Sequence, residues 1–320
     1  VPAIRKRADR SGVLEQISFI LGGIWGSLGL LKTFRPDLAI AFFGVPSGPI
    51  AWIMKLLTGI PYIVSMRGGD VPGFRPYDFS TYHRLLAPFL RIIWHGADAL
   101  VANSQGLRNL ALAFSPHSEI QLIPNGVNLE EYMPVERDWD SPQLLSVGRV
   151  VYQKGLDLAM QALAELKTLT WEWTIVGDGN ARPELEAMAE ELGIKERIHF
   201  VGWQEKEALT SLYDAVNLFL FPSRHEGMPN ALLEAMASGL PSIVTEIAGS
   251  EELTIHEETG LVVPSEDIEM LKNALNTLIP DAKRRQQYGE AARARVEASY
   301  SWAGTASQYI QLAEKILEKR

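Results

Sequence analysis

Two carboxylates and two cations stand at spacings that suit a ligand carrying a diphosphate. Glu226 and Glu234 bracket the start of a predicted helix that follows the apolar run Leu218–Phe221. Arg149 and Lys154 lie in the same way between an apolar run and a second predicted helix. The N-terminus of a helix offers free N–H groups and a positive dipole end, and both favour phosphate binding. Two fixed cations beside it would stabilise the charge of a leaving diphosphate.

Each of these residues also has a structural interpretation when it is taken alone. Arg149 and Lys154 could be ordinary surface cations of a loop. Glu234 could only compensate the helix dipole, or it could accept hydrogen bonds from the paired hydroxyls of a ribose. Glu226 could have the purely structural role of stabilising its own loop. The four residues therefore point to a phosphate site only in combination.

The elements that must position these residues alternate between strand and helix. Apolar runs rich in Val, Ile and Leu are followed by helical patterns, which predicts parallel sheets covered on both faces. The predicted strands of the first half are Asp37–Phe43, Pro61–Met66, Asp98–Ala102 and Glu119–Ile123. Those of the second half are Leu144–Val147, Trp173–Val176, Ile198–Val201, Val216–Phe221, Pro241–Val244 and Gly260–Val263. A helix predicted over 77–95 should be interrupted near Pro88.

This alternation predicts an α/β protein with two Rossmann-like, doubly wound domains that face each other across a cleft. The polar segment 128–142 is the best boundary between them. We expect an N-terminal domain over 1–138 and a second domain over 139–300. A C-terminal helix over 301–320 should pack back toward the first domain.

Composition limits the classes of function. The chain of 320 residues contains no cysteine, which excludes disulfides, thiolate metal sites and a cysteine nucleophile and fits the reducing cytoplasm. Residues 141–320 carry 17 Lys and Arg against 27 Asp and Glu, which argues against nucleic acid as a partner. The six histidines lack metal-ligand spacing, and Asp138-Trp139-Asp140 falls in the polar segment, so we expect no metal site.

The most apolar segment is Phe19–Leu31, which is too short to span a bilayer. It predicts a buried or half-buried helix of the first domain. The alternative is a peripheral contact with the inner face of a membrane, which the preceding Arg5-Lys6-Arg7 cluster would favour on an anionic surface.

Two glycine-rich turns follow other predicted strands. Gly177-Asp178-Gly179 is interpreted as a structural turn between strand and helix. In Arg67-Gly68-Gly69-Asp70, the glycines would let a ligand approach the backbone, although an ion pair between Arg67 and Asp70 could instead shape the loop.

Together these motifs resemble those of the retaining glycosyltransferases of family 4, which have the two-domain GT-B fold. The resemblance extends from about Pro36 to Tyr300. It rests on GR-x4-KG at 148–155, VGDG at 176–179, FPS-x-x-EGMPNALLEAMASGLP at 221–241, IPNGV at 123–127 and ETGLVV at 258–263.

The resemblance implies a role for each matching residue. Arg149 and Lys154 would contact the diphosphate of a nucleotide-sugar donor, Glu226 its sugar and Glu234 its ribose. The backbone facing sugar and phosphate would comprise Gly148, Gly227, Met228, Pro229 and Asn230. Arg67, Gly68 and Asp70 would lie on the side of the acceptor.

The family also implies a reaction. It would move a sugar from a nucleoside diphosphate to a glycan or lipid-linked acceptor with retention and without metal or cofactor, as in the synthesis of cell-surface polysaccharides. The leaving phosphate would accept the proton of the acceptor, so leaving-group stabilisation and positioning would supply much of the catalysis.

The first domain departs from the family pattern. Many members carry a histidine where this chain has the loop from Arg67 to Asp70, and the N-terminal strand with its glycine-rich loop has no counterpart. We therefore expect an N-terminally incomplete first domain that lacks on the order of 60–80 residues, at about 30 per βα unit. The alternatives are a non-catalytic nucleotide-sugar binding module and a GT-B sugar-nucleotide epimerase.

Overall fold

The computed structural model describes residues 12–74, 80–116 and 118–319, which form two compact units. The first unit contains the described residues up to Pro124 and those from Ala306 onward, and the second unit contains Asn125–Thr305. Each unit is built around its own parallel sheet.

The first unit alternates strands with helices. Its helices are α1 (Val13–Leu30), α2 (Ser47–Thr58), α3 (Ser80–Gly96), α4 (Gln105–Phe114) and α12 (Trp302–Leu317) from Ala306 onward. Its strands are β1 (Ala39–Phe42), β2 (Tyr62–Met66), β3 (Ala99–Ala102) and β4 (Ile120–Leu122). They pair in parallel in the order β1-β2-β3-β4. Every residue of β2 is buried, as expected of a strand covered on both faces.

Local sequence sets the ends of these elements. The Ser104 hydroxyl accepts the N–H of Leu107 and begins α4. Gly59 ends α2 in the left-handed conformation with φ 74°. The predicted interruption near Pro88 is wrong, because α3 continues through that residue. Proline removes one backbone N–H and its ring crowds the carbonyl four residues earlier, yet the residues on both sides of Pro88 are helical.

The helix predicted over Phe19–Leu31 as buried or half-buried is present in its half-buried form. Phe19, Ile20 and Ile24 are partly covered. The helix starts earlier, at Val13, where the Glu15 side chain accepts the N–H of Gly12 at 2.5 Å. Along α1 only Gly23 is buried, and a stripe of apolar side chains from Leu14 to Leu28 is exposed. By length and composition alone, α1 could cross a membrane.

The second unit holds the remaining elements, which again alternate. Its strands are β5 (Gln143–Val147), β6 (Glu172–Val176), β7 (Ile198–Gly202), β8 (Leu218–Phe221), β9 (Ser242–Thr245) and β10 (Gly260–Val263). Its helices are α5 (Leu156–Ala164), α6 (Arg182–Glu191), α7 (Lys206–Asp214), α8 (Asn230–Ala237), α9 (Ser250–Leu253), α10 (Ile268–Leu278) and α11 (Ala282–Ser299). The strands pair in parallel in the order β10-β9-β8-β5-β6-β7. The six strands predicted for the second half are all confirmed.

The polar segment at 128–142 belongs to the second unit. The chain divides into its two units after Pro124, which precedes the predicted boundary at 138/139. Arg137 donates to the carbonyls of Tyr213, Asp214, Val216 and Ser238. Arg293 donates to the carbonyls of Tyr132 and Ala237, both at 2.6 Å. Arg285, which is 1% exposed, donates to the carbonyl of Trp139. Arginines thus supply the donors that these backbone carbonyls need when they are removed from water.

Candidate functional site

The second sheet brings the candidate residues to one edge. β5 and β8 are neighbours although two strands, β6 and β7, lie between them in sequence, so the strand order reverses between them. Arg149 and Lys154 follow β5, and Glu226 follows β8. Ligands of doubly wound sheets bind at this switch point, outside the carboxyl ends of the strands.

A shallow recess that is open to solvent lies at this point. Gly148, Arg149 and Lys154 line it on one side, and Phe221 and Ser223 on the other. The Arg149 side chain is exposed, and the Lys154 ammonium lies 4.8 Å from the centre of the Phe221 ring. Both cations can therefore reach a ligand in the recess.

Lys154 and Glu226 form an ion pair. The ammonium donates to Glu226 Oε1 at 2.8 Å, and the two side chains are only 16% and 13% exposed. An ammonium has three donors and a carboxylate has two oxygens, so this pair leaves bonding capacity on both groups. The cation predicted to hold phosphate and the carboxylate predicted to face the sugar are in direct contact.

Gln153 links the same two loops. Its amide nitrogen donates to the carbonyl of His225 at 2.8 Å and lies 3.4 Å from Glu226 Oε1. Its amide oxygen lies 3.4 Å from an Arg149 nitrogen. Gln153 thereby connects the Arg149 loop to the Glu226 loop.

Glu234 lies in α8, about one turn inside the helix. Its Oε2 accepts the hydroxyl hydrogen of the buried Tyr213 at 2.9 Å. Burial raises the pKa of Glu234 above its ordinary value, the charge of Glu131 adds to this, and the Tyr213 hydrogen bond opposes it. The hydrogen bond from Tyr213 orients this carboxylate. Because the Glu234 residue is only partly buried, the carboxylate can still be reached from the surface.

The segment from Gly227 to Asn230 is held from behind by Asn125. The Asn125 side-chain nitrogen donates to the Met228 carbonyl at 3.1 Å and to Asn230 Oδ1 at 2.8 Å. Pro229 occupies the position before the first turn of α8, and in the described chain no side chain caps that turn. The first N–H groups of α8 are thus left for a ligand.

Glycines let the loops behind the recess touch. Gly148 has φ 149° and Gly177 has φ 121°. A Cβ on Gly177 would lie 1.9 Å from the Gly148 carbonyl oxygen, and one on Gly179 would lie 2.2 Å from that of Val150. The turn at 177–179 therefore supports the Arg149 loop, in line with its structural interpretation.

Arg67, Gly68 and Asp70 lie in the first unit, at the carboxyl end of β2. Asp70 is buried, and its carboxylate accepts the backbone N–H groups of Gly44, Arg67 and Gly68 at 2.6, 3.0 and 2.9 Å. Burial raises the pKa of Asp70, and these hydrogen bonds oppose the rise. Asp70 thus organises the loop through backbone donors, whereas the alternative expected an Arg67 ion pair.

The Arg67 side chain is directed to α12. Its guanidinium lies 4.8 Å from the centre of the Phe42 ring and donates to the Tyr309 hydroxyl at 3.2 Å. Tyr309 also shares a 2.6 Å hydrogen bond with the Ser65 hydroxyl. A residue of the C-terminal helix therefore helps to shape the predicted acceptor loop.

Sequence reasoning missed several residues that support the site. Asn125, Gln153 and Tyr213 are far from their partners in sequence, and only packing brings them together. The IPNGV motif was a usable signal for Asn125, since it agreed with the family pattern. Among the described residues, no group of three or more His, Asp or Glu side chains is placed to hold a metal ion.

Two family models match the chain. Residues 131–295, just over half of the chain, match the model described as "Glycosyl transferases group 1". Residues 4–131 match the model described as "Glycosyltransferase Family 4". The first match contains all of the candidate donor-site residues.

Among characterised relatives, the chain is similar to the lipopolysaccharide core biosynthesis glycosyltransferase LpsE of Rhizobium meliloti. The two are 28% identical over 224 residues, which is 68% of this chain and 65% of LpsE. The chain thus spans slightly less than two thirds of the length of this relative.

Solved structures share the fold. Sucrose-phosphate synthase from Thermosynechococcus elongatus superimposes with a TM-score of 0.85 at 23% identity, covering 100% of this chain and 87% of that one. Anabaena HepE in complex with UDP superimposes with a TM-score of 0.77 at 19% identity, covering 95% of this chain and 84% of that one. These likenesses confirm the predicted GT-B fold with two parallel-sheet α/β domains.

Proposed function

We propose, from the premise that this chain belongs to the glycosyl transferases group 1 family, that it transfers a sugar from a nucleoside diphosphate to a glycan or glycolipid acceptor. We further propose that the transfer retains the anomeric configuration and needs no metal ion. The polysaccharide or lipopolysaccharide setting follows relatives such as LpsE. The absence of cysteine favours the cytoplasm as its location.

One observation carries the proposal. Two cations and a carboxylate meet at the switch point of a doubly wound sheet, with Lys154 2.8 Å from Glu226 and Arg149 lining the same recess. Cations and a helix N-terminus favour the binding of a diphosphate, and a carboxylate accepts strong hydrogen bonds from the hydroxyls of a sugar. Lys154 joins the two kinds of group, because it lines the recess and also pairs with Glu226.

Each donor-site residue then has a task. Arg149 and Lys154 bind the diphosphate, and the N–H groups at the start of α8 add to the positive potential. Glu226 accepts a hydroxyl of the sugar while Lys154 holds it. Glu234, oriented by Tyr213, accepts the ribose hydroxyls. Gly148 and the backbone of 227–230 line the path of sugar and phosphate.

The reaction exchanges one bond at the anomeric carbon for another on the same face. The acceptor hydroxyl attacks this carbon as the bond to the diphosphate oxygen breaks. The acceptor proton moves to the leaving diphosphate, so no protein base is required. Arg149 and Lys154 stabilise the charge that develops on the leaving group, a contribution of several kcal/mol in comparable sites, about 3–4 per donor.

We assign the acceptor side to the first unit. Arg67 and Gly68 lie on a loop that the buried Asp70 fixes through three backbone hydrogen bonds. A loop fixed in this way can orient an acceptor hydroxyl, and positioning of this kind contributes strongly to rate.

The direct test is mass-spectrometric detection of nucleotide release and sugar transfer with UDP-, GDP- and ADP-sugars and oligosaccharide or lipid-linked acceptors. We expect one donor to be consumed in the presence of EDTA, with NMR showing the donor's anomeric configuration in the product. An inverted product contradicts retention, and inhibition by EDTA that added metal reverses contradicts metal independence. Nucleotide binding without sugar release or transfer would instead identify a binding module.

We also propose that α1 contacts a membrane surface. Its exposed apolar side chains recur at helical spacing and lie on one face: Leu14, Ile17, Leu21, Trp25 and Leu28. Lys32 and Arg35 follow the helix and are exposed, which suits anionic lipid. The chain should sediment with phosphatidylglycerol vesicles and less with phosphatidylcholine vesicles. Equal recovery of wild type and the Leu21→Ser/Trp25→Ser variant in the supernatant contradicts the contact.

A further inference from the structure

Arg224 is a largely buried arginine between the two loops of the donor site. Its side chain is 7% exposed, and its guanidinium donates two hydrogen bonds of 2.8 and 2.7 Å to the Asp157 carboxylate. A third nitrogen donates to Glu266 at 2.6 Å. The guanidinium also lies 3.8 Å from the centre of the Tyr152 ring. Few side chains other than arginine could make this planar, multidentate set of contacts.

These contacts fix the turn that carries Lys154. The Tyr152–Lys154 segment is a short 3-10 helix, and Gly155 ends it with φ 62°. Arg224 donates through its side chain to the Tyr152 carbonyl at 2.7 Å and through its backbone N–H to that of Gln153 at 2.8 Å. Arg224 therefore bonds to the two residues that immediately precede Lys154.

The two loops are also in close contact beside this arginine. A Cβ on Gly155 would lie 2.0 Å from the Pro222 carbonyl oxygen. Two residues beyond Arg224, Glu226 receives the Lys154 ammonium at 2.8 Å. A shift of the turn by about 1 Å would break this geometry, and misplacements of that size are costly in active sites.

We propose that Arg224 is a positioning residue of the donor site, which holds Lys154 against Glu226 by binding the turn that carries Lys154. Arg224 touches neither sugar nor diphosphate in this role. The inference rests on the proposed function only where it concerns nucleotide affinity. Its structural part, the fixing of the turn, stands independently.

The test compares Arg224→Gln with the double variant Arg224→Gln/Asp157→Asn. The single variant leaves Asp157 without its cation and is expected to lose stability. The double variant removes both charges of that pair and leaves only the exposed Glu266 without its partner. Arg197→Gln is the matched control. The Arg197 guanidinium also lies over an aromatic ring, 5.0 Å from the centre of Trp171, and donates to a backbone carbonyl. Thermal unfolding checks that each variant is folded.

Hydrogen exchange read by mass spectrometry gives the first measurement. In the double variant, the amides of 152–155 and 223–228 should exchange about tenfold faster than in the wild type, while the Arg197→Gln protein keeps wild-type rates there. Unchanged exchange in both segments overturns the proposal. This readout requires no ligand.

Calorimetric titration with UDP, GDP and ADP gives the second measurement. The double variant should bind the preferred nucleotide about tenfold more weakly than the control does. In the sugar-transfer assay, its fold decrease in kcat should exceed its fold change in KM. Wild-type affinity together with faster exchange overturns the link between the turn and the site. A wild-type chain that binds none of the three nucleotides contradicts the proposed function, while the exchange result still decides the role of Arg224 in the turn.

Discussion

The ion pair between Lys154 and Glu226 gives the sharpest energetic prediction. At 2.8 Å and with both side chains at least 84% buried, the Coulomb attraction is about 6 kcal/mol for an effective dielectric constant near 20. Desolvation of the two ions offsets most of it. We expect a net coupling of about 2 kcal/mol, within the range measured for residues in contact.

A double-mutant cycle measures this coupling. Lys154→Met and Glu226→Gln each leave a largely buried partner unpaired and should lower the free energy of unfolding by about 2–3 kcal/mol. For a unit of this size, that corresponds to a fall in Tm of about 4–12 °C. The double variant should lose about 2 kcal/mol less than the sum of the two single variants. Losses that add to within about 0.5 kcal/mol would refute the ion pair as an energetic link.

Three further predictions concern single positions. Arg149→Ala should leave Tm unchanged because the side chain is exposed, yet weaken UDP or GDP binding about 10- to 100-fold in calorimetry; equal affinity would contradict its role. Gly177→Ala should cost about 3 kcal/mol of unfolding free energy because its Cβ would meet the Gly148 carbonyl, whereas Gly69→Ala, with open space around it, should stay within about 0.5 kcal/mol. Nucleotide affinity should fall as pH is lowered, because protonation removes the Glu234 acceptor. The raised pKa moves this loss to a higher pH than for an ordinary glutamate, and Glu234→Gln should lack that part of the profile.

The strands of the second unit were predictable because they are short, continuous apolar runs. β8 and β9 are buried at every position, so burial on both faces leaves no polar alternation to confuse the pattern. α1 was not predictable in the same way. Its apolar run has the composition of a core helix, and only packing decides whether such a face is covered.

The segment at 128–142 shows a similar limit. Its composition is that of a linker, yet Arg137, which is partly buried, and Arg285, which is buried, bond it to the second unit. Arg137, Arg285 and Arg293 contact backbone carbonyls remote in sequence, and a carbonyl acceptor leaves no trace in residue type. Such contacts are invisible until the chain is folded.

Residue types and spacing alone identify the candidate donor-site residues and the order of the elements that carry them. GR-x4-KG and the two glutamates of the Glu226 motif identify chemistry because charge type and spacing are local properties. Only the tertiary structure decided that Lys154 pairs with Glu226, that Tyr213 orients Glu234 and that Arg224 binds the Lys154 turn. Those partners lie from 21 to 72 residues apart, and their contacts depend on which strands become neighbours at the switch point.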